Sequence, residues 1–301
     1  MKQIVIISGK GGTGKTVLTA SFAALAKNAS FADCDVDAAD LHLLLKPEIK
    51  ERHEFRSGKT AVIDEKKCIA CKKCMEVCRF GAIYSPQKEN HGQSTIEDGL
   101  RIDSISCEGC AVCSYICPVN AISMEENLSG EWYISETKYG PMVHAKLGIA
   151  EENSGKLVTL VRENAKKVGE EENKDYIIID GPPGIGCPVI ASLANVDLAL
   201  IVTEPTLSGI HDMKRVVDVS RHFGIHTKVV INKCDINLKN TRDIREICEK
   251  QNLEILAELP FSEDVAMSVV KGMPIVEFCN GGIAKDIAIL WERIEQQLKK
   301  L

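Results

Sequence analysis

The chain opens on an unbroken β-type run, Ile4-Val5-Ile6-Ile7, followed by a glycine-rich stretch and then by Leu18, Phe22, Leu25 and Ala26 at helical spacing. Strand, glycine loop and amphipathic helix in that order predict the start of a βαβ unit. Similar strand signals return at residues 176–179, 198–202, 228–231 and 253–259, with helical stretches such as 207–222 and 240–250 between them. Continuous apolar strands alternating with helices predict an α/β fold, a mostly parallel sheet covered by helices on both faces. In the last stretch, residues 282–301, Ile283, Ile287, Leu290, Trp291, Ile294 and Leu298 share one helical face. The opposite face mixes acids with bases and has no basic cluster, which predicts a helix packed on the sheet rather than a membrane-surface anchor.

Between residues 59 and 126 this alternation stops, giving way to short segments, turns and cysteines. The run CIACKKCMEVCRFGAIY from Cys68 matches CEGCAVCSYICPVNAIS from Cys107 at every cysteine and in the trailing Ala-Ile. Two copies of one small unit are the economical reading. The expected organisation is therefore one α/β domain from residues 1–58 and 128–301, interrupted by an insert at 59–127. The polar stretches 85–98 and 127–130 predict loops.

Composition narrows the partners. With 301 residues, 45% apolar and 27% charged, and no run approaching 18 apolar positions, the chain suits a folded protein of about two domains with no membrane insertion. Lys and Arg number 37 against 43 Asp and Glu, a formal net charge of -6, the wrong sign for a protein whose main partner is nucleic acid. Met1-Lys2 runs straight into the first strand without a signal peptide, which predicts a cytoplasmic location where thiols stay reduced. Thirteen cysteines, eight of them between Cys68 and Cys117, then point to metal rather than to disulfides.

The loop Gly9-Lys10-Gly11-Gly12-Thr13-Gly14-Lys15-Thr16 fits G-x-x-x-x-G-K-[ST] between a strand and a helix. Amides from Gly11, Gly12, Thr13, Gly14 and Lys15 would converge at a helix N-terminus, a cradle for a triphosphate, with Lys15 on the β and γ oxygens and Thr16 on Mg²⁺. The second lysine, Lys10, makes the loop KGGTGKT, and in this the sequence resembles the MinD/ParA-type ATPases. Four further motifs join the resemblance: Asp33-Cys34-Asp35-Val36-Asp37, Asp180-Gly181-Pro182-Pro183-Gly184, Asn232-Lys233-Cys234-Asp235 and Leu259-Pro260-Phe261. It covers residues 1–58 and 128–301. The resemblance implies that Asp35 orients the attacking water and Mg²⁺ and that Asp180 is the Walker B aspartate, also on Mg²⁺. By the same carry-over Gly181 and Gly184 belong to switch II, Asn232 reads adenine, and Pro260 and Phe261 line the adenine pocket. It further implies slow ATP hydrolysis until a homodimer, a heterodimer with a paralogue, or a partner completes the site. In that arrangement Lys10 reaches across to the other protomer's phosphates, like an arginine finger.

Both cysteine runs, Cys68-x2-Cys71-x2-Cys74-x3-Cys78 and Cys107-x2-Cys110-x2-Cys113-x3-Cys117-Pro118, have the spacing of bacterial two-cluster ferredoxins, whose fourth cysteine ligates the other cluster. Cys68, Cys71, Cys74 and Cys117 are then the expected ligands of one 4Fe-4S cluster, and Cys107, Cys110, Cys113 and Cys78 of a second. Structural zinc is the rival, though it usually separates two CxxC pairs by a longer linker. Arg79 replaces the proline of the ferredoxin run, either raising the potential of the nearby cluster or standing as a solvated side chain. Cys187, seven residues after Asp180, sits where the related nitrogenase iron protein holds a dimer-bridging cluster. Residues 151–156 supply no companion cysteine, so Cys187 is read as a small buried thiol near switch II, and Cys34, Cys234, Cys248 and Cys279 likewise. The combination looks like the MinD-superfamily ATPases with an inserted α+β bacterial ferredoxin-like domain. That resemblance implies nucleotide-dependent dimer closure coupled to electron delivery or to metal-cofactor (iron-sulphur) assembly, with a redox or metal-cofactor acceptor protein as partner. The alternatives are an ATP-gated electron donor to a separate redox enzyme and a redox-sensing positioning ATPase.

Overall fold

In the computed structural model, which describes residues 1–90, 93–96, 99–148 and 154–301, the first elements are β1 (Lys2–Ser8), α1 (Lys15–Leu25), β2 (Ala29–Asp33) and α2 (Leu41–Leu45). The middle of the chain forms β3 (Glu48–Ile63), α3 (Lys73–Val77), β4 (Ile83–Tyr84), β5 (Gln87–Asn90), β6 (Gln93–Ile96), β7 (Arg101–Ile102), α4 (Val112–Ile116), β8 (Ile122–Thr137) and β9 (Gly140–Leu147). Alternation then resumes with α5 (Ser154–Glu171), β10 (Tyr176–Pro183), α6 (Cys187–Leu193), β11 (Leu198–Thr203), α7 (Leu207–His222), β12 (His226–Asn232), α8 (Leu238–Lys250) and β13 (Glu254–Leu259). Three helices close the chain: α9 (Glu263–Lys271), α10 (Ile275–Phe278) and α11 (Ile283–Leu298).

Two compact units emerge. The first comprises Met1–His53, Glu131–Leu147 and Ser154–Leu301; the second is built on Glu54–Gly130. The junctions thus fall a few residues outside the expected 59 and 127. In the large sheet the strand order is β13-β12-β11-β1-β10-β2-β9-β8-β3, and the pairings from β13 through β2 to β9 are all parallel. The central strands are buried on both faces, which is why they read as continuous apolar runs: Ile4 to Ile7, Ile177 to Ile179 and Leu198 to Val202 are at most 1% exposed. On one side of the sheet α1 and α11 share a core in which Phe22 and Trp291 lie 5.3 Å apart between ring centroids. The whole apolar stripe of α11 is spent on that core, since Ile283, Ile287, Leu290, Trp291, Ile294 and Leu298 are all buried.

The second unit repeats itself in backbone as in sequence. Lys72 and Ala111, at φ 62 and 63, cap α3 and α4, and Cys78 and Cys117 end those helices in matching extended conformations. The lead-in to each copy bonds to the tail of the other, Asp64 N to Ala121 O at 2.7 Å and Asp103 N to Ala82 O at 2.8 Å. Its small core holds Ala61, Cys74, Ile83, Leu100, Cys113 and Ile122.

Much of what the sequence predicts as loop, residues 87–90, 93–96 and 127–130, forms strand. Within 85–98, β5 and β6 pair antiparallel from Gln87↔Ile96 to Asn90↔Gln93, while residues 91, 92, 97 and 98 lie outside the described residues, as do 151–153. Residues 127–130 lie inside β8, where Ser129 Oγ donates to Ser57 O at 2.7 Å. Polar, glycine-bearing sequence forms strand here because ladder hydrogen bonds, which carry no side-chain signature, hold the backbone.

Candidate functional site

The glycine loop closes at the carboxyl ends of the parallel strands, where ligands of open α/β sheets sit. Ser8 Oγ donates to Lys10 O at 2.6 Å, and α1 begins at Lys15. Gly14 occupies φ +96, and a Cβ there would lie 2.5 Å from Asn232 Nδ2. Both the left-handed backbone and that close approach demand glycine. Gly12 is likewise at positive φ, while Lys15 and Thr13 are buried. The cavity over the loop is lined by Gly11, Gly12, Gly14, Lys15, Thr16 and Asp35, with Pro182, Pro183 and Leu44 on its walls.

Asp33, the last residue of β2, and Asp180, within β10, are paired in register on neighbouring parallel strands. Both are fully buried, and burial drives both carboxyls up, Asp180 to about 6 against the pull of Lys15 and of the Thr16 and Thr19 hydroxyls. Thr19 Oγ1 donates to Asp180 Oδ1 at 2.9 Å, whereas the buried Oδ2 has no hydrogen-bond partner among the described residues. That orphaned oxygen, with the Thr16 hydroxyl beside it, is a fitting donor set for Mg²⁺. Asp35 is half-buried and its carboxyl is raised by burial, with Lys15 opposing. Asp33 carries the loop that aims it, accepting from Asp35 N at 3.2 Å and Leu41 N at 3.3 Å. Within the acidic run the sequence assigns Asp33 no role; its place at the end of β2 was the available signal.

Gly184 N donates to Ser8 O at 2.9 Å, which ties the segment after β10 to the start of the glycine loop. A Cβ on Gly181 would lie 2.5 Å from Ile7 Cγ2, so β10 and β1 pass too closely for any side chain there. Asn232 Nδ2 donates to Thr13 O at 2.7 Å and its Oδ1 accepts from Lys233 N, so its amide buttresses the glycine loop. The 232–235 and 259–261 motifs meet, Cys234 N donating to Leu259 O at 2.9 Å and Phe261 N to Asp235 Oδ1 at 2.7 Å. Pro260 and Phe261 are exposed. Lys10 turns to its own chain, 2.6 Å from Glu204.

In the second unit, Cys68, Cys71, Cys74 and Cys117 line one small pocket. Cys78, Cys107, Cys110 and Cys113 line another. Burial raises the Cys74 and Cys113 thiols. Among the described residues no three His, Cys, Asp or Glu side chains converge on a single metal-ion position. Asp64 and Asp103, each four residues before the first cysteine of a copy, accept from Lys66 N and Ile105 N and shape both lead-ins alike. Arg79 is exposed. Cys187 is also exposed, which corrects its reading as a buried thiol: it is the first residue of α6, where its side chain meets solvent. Cys34 and Cys248 are buried; Cys234 and Cys279 are half-buried.

Residues 4–275 match the family model of the CobQ/CobB/MinD/ParA nucleotide binding domain. Uncharacterized protein MJ0578 of Methanocaldococcus jannaschii is 33% identical over 298 residues, 98% of this chain and 96% of that protein. A second uncharacterized protein of that organism, MJ0579, is 30% identical over 249 residues, 79% of this chain and 82% of its own length. Among solved structures, the septum site-determining protein MinD of Pyrococcus horikoshii, complexed with Mg-ADP, superposes with a TM-score of 0.57 at 17% identity, covering 98% of this chain and 96% of that one. At that identity the likeness establishes the fold. Among the described residues no helix is long and apolar enough to cross a membrane.

Proposed function

The chain belongs to the CobQ/CobB/MinD/ParA nucleotide-binding family and is an ATPase of the MinD/ParA type, and on that premise we propose that it couples ATP-dependent dimer closure to electron delivery or metal-cofactor assembly through two 4Fe-4S clusters held by its cysteine insert. One observation carries the reading: each of two cavities gathers four cysteines, three from one sequence copy and one from the other. Cys68, Cys71, Cys74 and Cys117 would hold one cluster, and Cys78, Cys107, Cys110 and Cys113 the other. Four thiols spread around a cavity suit a polynuclear group, which takes one thiolate at each iron, better than a single zinc ion that draws all its ligands to about 2.3 Å. Bound there, the clusters supply one-electron chemistry.

On the nucleotide side, Lys15 would neutralise the phosphates, Thr16 and Asp180 would hold Mg²⁺, and Asp35 would orient the attacking water. Lys10 acts across the dimer, whose second protomer is either the same chain or a paralogue. The similarity of this chain to two proteins of one organism supports the paralogue option. A positioning role fits less well, because the apolar face of α11 is buried in the core and unavailable as a surface anchor.

The test is iron and acid-labile sulphide per protomer on anaerobically purified protein, with and without MgATP. About eight irons per protomer are expected from two four-iron clusters. Protein that binds ATP and carries zinc, or no metal at all, overturns the cluster reading. If MgATP leaves all the iron resistant to chelators, the clusters are fixed wiring for electron delivery; if it releases a labile fraction, assembly is favoured.

A further inference from the structure

Lys10 is held within its own chain by three acceptors at once. Its Nζ lies 2.6 Å from Glu204 Oε1 and donates to Thr206 Oγ1 at 3.1 Å and to Ser208 Oγ at 3.2 Å. An ammonium has three N–H donors, so all of them are engaged in cis. Glu204, just past β11, is only 11% exposed in its side chain, and its second oxygen lies 3.0 Å from Lys233 Nζ. Lys233 in turn donates to Gly12 O at 3.2 Å. Its backbone stands at φ 53, a left-handed conformation uncommon for lysine and one that these contacts hold in place. Burial by itself raises the Glu204 carboxyl, and the hydrogen bonds from Lys10 and Lys233 more than reverse this, leaving it below the ordinary value and ionised.

We propose that Glu204, with Thr206 and Ser208, is a dock that competes with nucleotide phosphate for Lys10, and that Glu204 is thereby a positioning residue setting the threshold for dimer closure. The inference rests on the reading that Lys10 acts across the dimer. A docked Lys10 has no free donor, so reaching a neighbouring protomer's phosphate requires it to surrender all three bonds. Lys233 makes that exchange feasible. When Lys10 leaves, the carboxylate keeps Lys233 as a cationic partner, and no buried charge is stranded. The dock therefore holds Lys10 when no phosphate competes and yields it when one does.

The experiment compares the full chain with Glu204→Gln, Ser208→Ala, Lys10→Ala and the Lys10→Ala/Glu204→Gln double variant. Dimerisation is followed by analytical ultracentrifugation with Mg²⁺ and AMP-PNP, and turnover is measured with MgATP. Glu204→Gln is expected to dimerise at about tenfold lower protein concentration, the scale of one charge-assisted hydrogen bond. Turnover at sub-saturating protein should rise with it while the rate of the fully formed dimer stays within about twofold. Ser208→Ala should shift the same way by less. Unchanged or weaker dimerisation of Glu204→Gln, or an equal shift in the Lys10→Ala background, overturns the dock. The two levels separate cleanly: Lys10→Ala turning over ATP at the wild-type rate sinks the action across the dimer, and the dock with it. Loss of turnover in Lys10→Ala alongside an unresponsive Glu204→Gln sinks the dock alone.

Discussion

At the residue scale, buried ionisable groups do different work in different places. Asp33 and Asp180 lie side by side on neighbouring strands, and the charge of the half-buried Asp35 pushes both carboxyls up further. Such crowding stores negative charge where a divalent cation offsets it. His144 is a simpler case. It is 8% exposed on β9, its Nε2 is 2.9 Å from Ser135 Oγ, and its ring stacks on Tyr133. Burial, reinforced by His42, lowers its pKa to about 4. A histidine lowered from about 6.5 is neutral in the fold but takes up a proton in the unfolded chain, so stability rises with pH across that window and is lost as pH falls through it. For a folded value near 4, the loss between pH 7.5 and pH 5 is about 2 kcal/mol. His144→Gln keeps a hydrogen-bonding side chain but has no charge to gain. Urea unfolding at the two pH values should give it a pH dependence smaller by about that amount; equal slopes for variant and wild type would discard the assignment.

At the element scale, the glycine loop is set by its neighbours as much as by its own glycines. Gly14→Ala places a Cβ against the Asn232 amide and forces alanine to φ +96. ATP affinity should fall at least about tenfold, the scale of strained left-handed backbone. Isothermal titration of a Gly14→Ala/Asn232→Ala double variant separates the causes, because removing the amide relieves the contact but not the backbone strain. Recovery to wild-type affinity would assign the whole effect to contact. A similar dependence joins α5 to α6: Arg162 donates to Ala191 O and to the exposed Ala194 O at the end of α6, so Arg162→Met leaves the half-buried Ala191 carbonyl unpaired. Melting should show a loss of about 1–3 kcal/mol per stranded acceptor.

What could be read from sequence follows the same physics. The runs at 176–179 and 198–202 were legible because strands buried on both faces need unbroken apolar residues, and the helix at 207–222 because it buries one stripe. β8 was not, because its polar residues 127–130 hold their place through backbone bonding and a Ser129 contact 72 residues away. The nucleotide loop was legible as a motif. Its dependence on Asn232, Glu204 and Lys233 was not, since those contacts span about 200 positions and no spacing rule encodes them.

At the scale of the whole molecule, the duplicated insert places a constraint on itself that no single motif contains. If each copy enclosed its own group, Cys78 would share a cavity with Cys68 and Cys117 with Cys107. Instead the fourth cysteine of each copy lies with the first three of the other, and the lead-in of each copy bonds to the tail of its twin. Neither copy can then complete a site without the other, which gives a physical reason for two copies in one chain. The crossed arrangement is separable from the uncrossed one by pairs of substitutions. Cys71→Ala with Cys117→Ala strikes one cavity twice and leaves four cysteines in the other, so the purified protein should retain about four irons per protomer. Cys71→Ala with Cys78→Ala strikes both cavities and should retain fewer than about two. In an uncrossed unit the two results exchange places, so iron analysis of these two variants, checked by electron paramagnetic resonance of the dithionite-reduced protein, decides how the chain divides its cysteines.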